Sequence, residues 1–408
     1  MEIRKLTNPQ EWLESERVLA TAFLHPWDEK ETGRKVQEQA RGAAPRAEES
    51  WGLFVDDGSM STSISTLRHT LSFGGRKLPT GEIHMVGSLP ESRGGGNVRA
   101  LMGEILRDFR SRGDALAVLI PFSCAFYRKF GFELSGRTVR QRLPIDQLAG
   151  FACDLTVTRV WEEQDLVPVR ELWDSFALSH DLAEIRGDEA WQWRGNGDFG
   201  EPDFMQPERQ RYTYVFWDES GEACAYVRFS FFHEPDLPFV GELKVSDLVW
   251  ANPQALRVVL GFLYRMRAKV SHVNFELEGL ELAPLVPEGD RVEQQIDSHV
   301  MARMLDVERL LGQMPQPFGE GSYVLQVEDD FLPEVSGRWQ VTYENRRATN
   351  VTCTDLAPDL VASQTVACQL VLGRISLEDA LYRPGVQALG NTDTLTQVFV
   401  RRPIYLSL

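Results

Sequence analysis

The feature that most constrains the fold is a glycine-rich segment followed by a periodic apolar run, within the stretch from Val86 to Leu106. The run predicts an amphipathic helix, because its apolar residues recur at intervals of three and four. These residues are Val98, Leu101, Met102, Ile105, Leu106 and Phe109. Gly113 gives a stop signal, and the segment Glu82–Val86 predicts a strand. The glycines therefore lie between the end of a strand and the start of a helix.

The loop that holds the glycines has the composition of an anion-binding site. Consecutive glycines let the backbone approach a ligand closely, and the helix start offers unpaired amides and the positive end of the helix dipole. The residues concerned are Arg93, Gly94, Gly95, Gly96 and Asn97. A flexible surface turn would need the same glycines, and glycine patterns alone are weak motifs. Both interpretations stay open on this segment alone.

The residues that follow favour the anion-binding interpretation. A continuous apolar run, ALAVLIP at 115–121, predicts a strand buried on both faces, and it leads into FSCAFYRKFGFE at 122–133. This order of strand, arginine-glycine loop, amphipathic helix, strand and FYRKFGFE motif resembles the acetyl-CoA-binding half of the GNAT-superfamily N-acetyltransferases. The loop RGGGNVRALM together with FYRKFGFE is most similar to the Eis-like acetyltransferases, named for enhanced intracellular survival.

The resemblance implies acetyl-CoA as the co-substrate and assigns roles to the loop. In the family, loop amides and an arginine hold the pyrophosphate of coenzyme A. Those positions correspond here to Arg93, Gly94, Gly95, Gly96, Asn97 and Val98. Most relatives carry two or three basic residues in this loop, whereas here Arg93 precedes the glycines and Arg99 follows them. Backbone amides would therefore supply most of the phosphate contacts.

The resemblance also implies three catalytic groups. A tyrosine of the motif protonates the departing thiolate, and the matching residue is Tyr127, for which a packed aromatic residue is the alternative. A backbone amide near Val86 polarises the thioester carbonyl. The C-terminal carboxylate acts as the base, here that of Leu408, where relatives usually carry phenylalanine. A base is needed because an alkyl amine, with a pKa of about 10.4, is protonated at neutral pH.

Aromatic residues of the N-terminal region wall the amine pocket in this family. Trp27 and Trp51 are available for that role, although a core position is the more common use of a tryptophan. Cys124 also lies close to the motif in sequence. We interpret Cys124 as a packing residue, because no histidine lies near it to activate the thiol.

Later segments predict a tandem organisation and the fold class α/β (α+β). A strand at Val245–Trp250, a turn at Asn252-Pro253, a helix and a strand beginning at Val270 repeat the order of 82–121. This second copy has no glycine loop and no arginine ahead of its helix, so we expect it to lack coenzyme binding. The third region resembles the sterol-carrier-protein-like domain of Eis-like proteins. The predicted domains are an acetyltransferase domain at 1–145, a degenerate copy at 146–292 and a sterol-carrier-like domain at 293–408.

Within the third region, Asp355 is predicted to cap a helix that ends at Gly373. The apolar residues assigned to that helix are Leu360, Val361, Val366 and Leu370. A sterol-carrier-like fold suggests lipid binding, but a fold does not determine a function.

Composition limits the remaining choices. The net charge of −17 disfavours nucleic acid, whose phosphates require clustered basic residues, and would attract cationic amines, although solubility alone also explains it. The sequence has no apolar run long enough for a membrane helix and no signal-peptide core at its start, which predicts a cytoplasmic protein without a membrane partner. Five scattered cysteines without CxxC spacing argue against disulfides and a zinc site, and we expect no metal.

The sequence as a whole predicts an acetyl-CoA-dependent N-acetyltransferase. The expected acceptor is a small-molecule or peptide amine of the aminoglycoside, polyamine or lysine type, which attacks directly in a ternary complex. A non-catalytic acyl-CoA sensor or a lipid-binding protein is the alternative from a different class. Eis-like proteins form hexamers, so the resemblance implies a homo-oligomer and, more specifically, a hexamer.

Overall fold

In the computed structural model, the described residues are 1–40, 49–188, 190–191, 210–234, 237–276 and 278–406. The strands, in chain order, are β1 (Glu2–Lys5), β2 (Glu49–Phe54), β3 (Met60–Phe73), β4 (Arg76–Ser88), β5 (Leu116–Leu119), β6 (Glu133–Pro144), β7 (Thr156–Arg159), β8 (Tyr212–Trp217), β9 (Ala223–Glu234), β10 (Leu237–Trp250), β11 (Val270–Glu276), β12 (Glu293–Met304), β13 (Glu320–Glu328), β14 (Gly337–Glu344), β15 (Arg347–Cys353), β16 (Leu360–Ser363) and β17 (Gln387–Ala388). The helices are α1 (Pro9–Phe23), α2 (Glu29–Ala40), α3 (Asn97–Ser111), α4 (Cys124–Arg128), α5 (Val167–Ser179), α6 (Pro253–Tyr264), α7 (Val307–Gln313), α8 (Gln364–Leu372), α9 (Leu377–Leu381) and α10 (Thr392–Val398).

The chain divides into two compact units that alternate along the sequence. Unit 1 contains residues 1–136 and 299–402, and unit 2 contains residues 137–298 and 403–406. The divisions at 136 and 298 fall inside β6 and β12, so each of these strands contributes to both units. Within the described ranges, no helix is both long and apolar enough to cross a membrane.

The first sheet of unit 1 has the strand order β1-β2-β3-β4-β5-β12. Neighbouring strands are antiparallel except for β4 and β5, which are parallel. A parallel pair needs a crossover, and α3 supplies it. The predicted helix is confirmed, and the buried residues of α3 are Leu101, Met102, Gly103, Ile105, Leu106 and Phe109.

A close approach fixes α3 against the sheet. A Cβ atom added to Gly81 of β4 would lie 2.2 Å from the ring of Phe109. Glycine is therefore required at this position, because the ring of α3 occupies the space that any other side chain would need. This contact packs the last turn of α3 against the middle of β4.

The second sheet of unit 1 has the order β15-β14-β13-β16-β17. It corrects one prediction, because Leu360 and Val361 lie in β16, parallel to β13, and not in a helix. The helix α8 begins after Ser363 and not after Asp355. Burial alternates along β16 with the period of two typical of a strand, and Leu360 is fully buried. The predicted end at Gly373 is correct.

Unit 2 repeats the strand, helix, strand order of the first sheet. Its sheet order is β6-β11-β10-β9-β8-β7, and the parallel pair β10 and β11 is joined by α6. Asn252 caps α6 by accepting a 2.9 Å hydrogen bond from the amide of Ala255, which confirms the turn predicted at Asn252-Pro253. The predicted second copy of the fold is thus present in the structure.

Candidate active site

The two parallel strands of unit 1 separate at their carboxyl ends. Pairing between β4 and β5 stops at Ile83 and Leu119, whereas β4 continues beside β3 as far as Ser88. Strand β4 has a bulge at His84 and Met85, which together lie opposite a single residue of β3. The carboxyl edge of a parallel pair is where ligands bind in open α/β sheets, and here the gap leads to the loop before α3.

The glycine loop forms the start of α3. Gly94 and Gly96 have φ of 83° and 82°, in the left-handed region that favours glycine. Gly96 is the N-cap residue, and no side chain caps the helix, so the first amides of α3 have no intrahelical partner. A Cβ atom at either glycine would meet no atom within 4 Å, so glycine is favoured here by the backbone conformation and not by a lack of space. The loop therefore presents amides and the positive helix end to a cavity.

The cavity in front of this loop has a volume of about 750 Å³. Val86 of β4 lies in its wall. The loop side of the wall is formed by Ser92, Arg93, Gly94, Gly96, Asn97 and Val98. The apolar side is formed by Phe23, Leu24, Phe122, Phe126 and Phe130. An apolar wall that faces a polar, amide-rich wall suits a ligand with an apolar arm and an anionic group.

Basic side chains surround the loop side of the cavity. Among the described residues, Arg93 donates only to the backbone carbonyls of Ala22 and Ser88, at 3.3 and 3.4 Å, and Arg99 donates to the carbonyl of Lys129 at 3.4 Å. Lys129 also lines the cavity. In the part of the chain that the structure describes, Arg93, Arg99 and Lys129 have no carboxylate within ion-pair distance, so their positive charge is available to an anion. Sequence reasoning missed Lys129, although it stands two residues after Tyr127 in the motif.

Tyr127 lies on α4, a short helix capped by Ser123. Its side chain does not line the cavity, but it packs against Phe122 and Phe126, which do, with ring centroids 5.4 and 5.2 Å apart. The residue is 3% exposed, and burial raises the pKa of its phenol to about 12. The phenol is therefore neutral at pH 7 and able to donate a hydrogen bond.

Besides Tyr127, three predicted site residues do not line this wall, and a further one lies outside the described residues. Gly95 and Trp27 are not among the described residues that line the cavity. Trp51 lies on β2 and is buried, with the amine of Lys5 at 5.1 Å from its ring centre, so its position is that of a core residue. Leu408 lies outside the described residues, and its carboxylate stays a prediction.

A buried carboxylate between two histidines lies on β4 beside the bulge. Glu82 accepts from His69 at 2.7 Å and from His84 at 3.2 Å. Burial alone would raise the pKa of Glu82, but the hydrogen bonds from His69 and His84 outweigh burial and lower it. Sequence reasoning missed this group, and the only signal for it was the pair of titratable residues two positions apart in GEIH.

Comparison with known proteins identifies the class. Models of the acetyltransferase (GNAT) domain match residues 2–135 and 183–304, and a model of the sterol carrier protein domain matches residues 307–407. The chain therefore carries two GNAT acetyltransferase domains followed by a sterol carrier protein domain, which confirms the predicted fold class. GNAT acetyltransferases use acetyl-CoA.

Individual proteins are similar to this chain in sequence or in fold. An uncharacterized N-acetyltransferase of Streptomyces avermitilis is 26% identical over 346 residues, 80% of each chain. A GCN5-related N-acetyltransferase from Anabaena variabilis has a TM-score of 0.81 at 18% identity and covers 99% of this chain and 100% of its own. Eis1 from Mycobacterium abscessus has a TM-score of 0.76 at 19% identity and covers 99% and 98%. The chain is thus a tandem GNAT acetyltransferase that shares its fold with Eis1, an enzyme of the acyltransferase class with acetyltransferase activity of GNAT type.

Proposed function

We propose that this protein transfers the acetyl group of acetyl-CoA to a primary amine by direct attack in a ternary complex. The observation that carries the proposal is the cavity at the start of α3, where a helix end without a side-chain cap, and cations with no carboxylate partner among the described residues, face an apolar wall. The proposed acceptor is a small-molecule or peptide amine of the aminoglycoside, polyamine or lysine type. The net charge of −17 supports a cationic acceptor over a nucleic acid.

The residues of the cavity fit coenzyme A. Its pyrophosphate is anionic, and it would contact the amides of the loop from Gly94 to Val98 together with Arg93. Arg99 and Lys129 add two further positive charges, which compensates for the single arginine ahead of the glycines. The apolar phenylalanine wall fits the aliphatic arm of the coenzyme, and the edge of β4 at Val86 would polarise the thioester carbonyl.

The proposed chemistry has one bond formed and one broken. The neutral amine nitrogen attacks the acetyl carbon, the carbon–sulfur bond breaks, and the electron pair leaves on the coenzyme sulfur. Tyr127 would donate a hydrogen bond to that sulfur as negative charge develops, which requires its hydroxyl to reach the cavity past Phe122 and Phe126. Because an ordinary thiol, with a pKa of about 8.5, is a stronger acid than this phenol, the phenol stabilises the thiolate chiefly by hydrogen bonding. The proton lost by the nitrogen balances the charge when it reaches the sulfur.

The amine must lose a proton before it attacks, and two groups are proposed for that step. The carboxylate of Leu408 is the base that the family resemblance implies. The pair Glu82 and His84 is a second candidate, because the carboxylate orients the imidazole at the bulge beside Val86. Replacing His84 with glutamine would lower turnover at neutral pH if the imidazole is the base and would leave turnover unchanged if it is not.

A thiol-release assay with acetyl-CoA and a panel of amines tests the proposal. Turnover with at least one primary amine, and acetylated product by mass spectrometry, is the expected result. If no amine gives turnover while coenzyme A still raises the melting temperature, the acyl-CoA sensor is the correct function. If coenzyme A neither stabilises the protein nor reacts, both functions are refuted, and a lipid-transfer assay then examines the sterol carrier domain.

Three further features are part of the proposal. The proposed domains are 1–145, 146–292 and 293–408, and limited proteolysis would place the boundaries. We propose a cytoplasmic homo-oligomer, a hexamer by resemblance to Eis-like proteins. Light scattering measures the mass of the particle and therefore the number of subunits.

We also propose that no metal takes part in the reaction. A chelator such as EDTA should then leave turnover unchanged, and a loss of activity that zinc or magnesium restores would contradict this.

A further inference from the structure

Arg99 is one of the three cations that line the coenzyme cavity, and hydrogen bonds hold its side chain only weakly. It lies in the first turn of α3 and is exposed. Among the described residues, its hydrogen-bond partner is the carbonyl of Lys129, at the long distance of 3.4 Å. A long, exposed side chain loses rotational freedom when it binds an anion, which reduces the affinity that its charge provides. A neighbour that already holds the guanidinium in place would increase that affinity.

Phe331 is such a neighbour, although it belongs to the sterol carrier domain and follows β13. The guanidinium carbon of Arg99 lies 4.8 Å from the centre of the Phe331 ring, within the range of a cation–π interaction. The same ring packs edge-on against Phe130 of the cavity wall, with ring centroids 5.2 Å apart. Phe331 is not among the described residues that line the cavity, so any effect on the coenzyme passes through Arg99 or Phe130.

A buried ion pair fixes the segment that carries Phe331. The side chain of Arg303, on β12, is fully buried and donates to the carboxylate of Asp329 and to the carbonyl of Phe130. The other carboxylate oxygen of Asp329 accepts from the amides of Phe331 and Leu332, both at 2.9 Å. The ion pair therefore connects the backbone before Phe331 to the FYRKFGFE motif, and the ring has a defined position beside Arg99.

The glycine of the motif has a role in the same connection. Gly131 has φ 78°, in the left-handed region that favours glycine, and a Cβ atom added there would overlap Nη1 of Arg303. On the other side of the ring, a Cβ atom added to Gly103 of α3 would lie 3.8 Å from Phe331. The motif and α3 thus leave space for groups that belong to later parts of the chain.

We propose that Phe331 is a positioning residue for the coenzyme, because its ring holds the guanidinium of Arg99 at the phosphate end of the cavity. The sterol carrier domain is then part of the acetyltransferase site. This inference rests on the proposed coenzyme site. Arg99 lies on the loop side of the cavity and not at the thioester, so it would bind the coenzyme equally in the ground state and the transition state. The effect of Phe331 should therefore appear in KM for acetyl-CoA and not in kcat.

Titration of the full chain with coenzyme A compares variants at position 331. Phe331→Leu keeps an apolar side chain but removes the ring face, so it should raise Kd by about 3- to 10-fold. Phe331→Tyr keeps the ring face and should stay within about twofold of the wild type. The matched control is Phe318→Leu, in the same domain, whose exposed ring lies 5.2 Å from the guanidinium carbon of Arg346. Phe318 does not line the cavity, so the control should leave Kd unchanged.

A double-mutant cycle separates positioning from a general effect on the structure. Arg99→Gln removes the charge and should itself weaken coenzyme A binding by about 10-fold. If Phe331 acts through Arg99, adding Phe331→Leu to the Arg99→Gln chain should change Kd by less than about twofold. In the thiol-release assay, kcat of Phe331→Leu at saturating acetyl-CoA should equal that of the wild type. Melting curves establish that each variant is folded.

Three results would overturn the inference. The first is a Phe331→Leu chain that binds coenzyme A as tightly as the wild type. The second is a loss of equal size with and without Arg99→Gln, because the effect is then not transmitted through Arg99. In both cases the wild-type chain still binds coenzyme A, and the proposed function stands. The third is a wild-type chain that does not bind coenzyme A, which refutes the proposed coenzyme site and this inference together.

Discussion

Replacing Tyr127 with phenylalanine separates chemistry from packing, because the change removes one hydroxyl group and keeps the ring. The ring contacts Phe122 and Phe126, and phenylalanine preserves both contacts. Burial raises the pKa of the Tyr127 phenol to about 12, so the hydroxyl carries its proton over the whole working range of pH. We therefore expect the variant to fold and to bind coenzyme A normally, but to lose the hydrogen-bond donor for the departing sulfur.

The expected loss lies in kcat. A hydrogen bond to a charged group contributes about 1.5 to 3 kcal/mol, which corresponds to about 10- to 150-fold in rate. General acid catalysis by a positioned side chain contributes about 10²- to 10⁴-fold, and a phenol less acidic than a thiol belongs at the lower end of that range. We expect kcat to fall by about 100-fold, while KM for acetyl-CoA changes by less than about threefold.

A thiol-release assay with saturating amine and varied acetyl-CoA measures both constants. Tyr382→Phe is the matched control, because it makes the same chemical change at a residue that is 85% exposed. Turnover of the control should equal that of the wild type. The role assigned to Tyr127 is refuted if Tyr127→Phe keeps its kcat, or if its loss appears entirely as weaker binding of acetyl-CoA.

Three other changes have defined outcomes. Gly96→Ala, at φ 82°, should destabilise the fold by roughly 1 to 2 kcal/mol in chemical denaturation and weaken coenzyme A binding in titration; an unchanged affinity would argue against the loop as the phosphate site. The pKa of Glu82 is below its ordinary 4.5, so the ionised carboxylate stabilises the fold above about pH 4.5, and this stabilisation is lost as the pH falls through the pKa of the folded state. Glu82→Gln should therefore make the melting temperature depend less on pH in that acidic range. A pH dependence equal to that of the wild type would contradict this role. Asp329→Ala leaves the fully buried Arg303 without its carboxylate and should lower the free energy of unfolding by about 3 to 5 kcal/mol, whereas a loss below about 1 kcal/mol would show that the pair is not needed.

The elements around the candidate site could be predicted because local patterns determine them. The apolar period of α3, the glycines before it and the apolar run of β5 each fix a conformation without help from distant residues. The prediction around Asp355 was wrong for a physical reason. Leu360 and Val361 fit a helical stripe in sequence, but the parallel partner β13 buries Leu360 and fixes the segment as a strand, and pairing with a distant strand cannot be read from the segment itself.

The parts of the site that escaped prediction depend on contacts between distant segments. Glu82 and His69 are thirteen residues apart, and the bulge in β4 brings His84 to the same carboxylate. Lys129 belongs to the FYRKFGFE motif, but the sequence does not show that its side chain lines the same cavity as the glycine loop. Trp51 was predicted to line the amine pocket, but it is a buried core residue on β2. Composition alone cannot distinguish an aromatic residue that lines a pocket from one that packs in the core.

The measurement that tests the central claim most directly is a crystal structure of the protein with bound coenzyme A. The proposal predicts pyrophosphate oxygens within hydrogen-bond distance of the amides from Gly94 to Val98, with Arg93 beside them and the sulfur near Tyr127. It also predicts no coenzyme at the start of α6, where the turn Asn252-Pro253 has no glycine loop. Coenzyme bound at the start of α6, or a pyrophosphate held away from the loop before α3, would contradict the account.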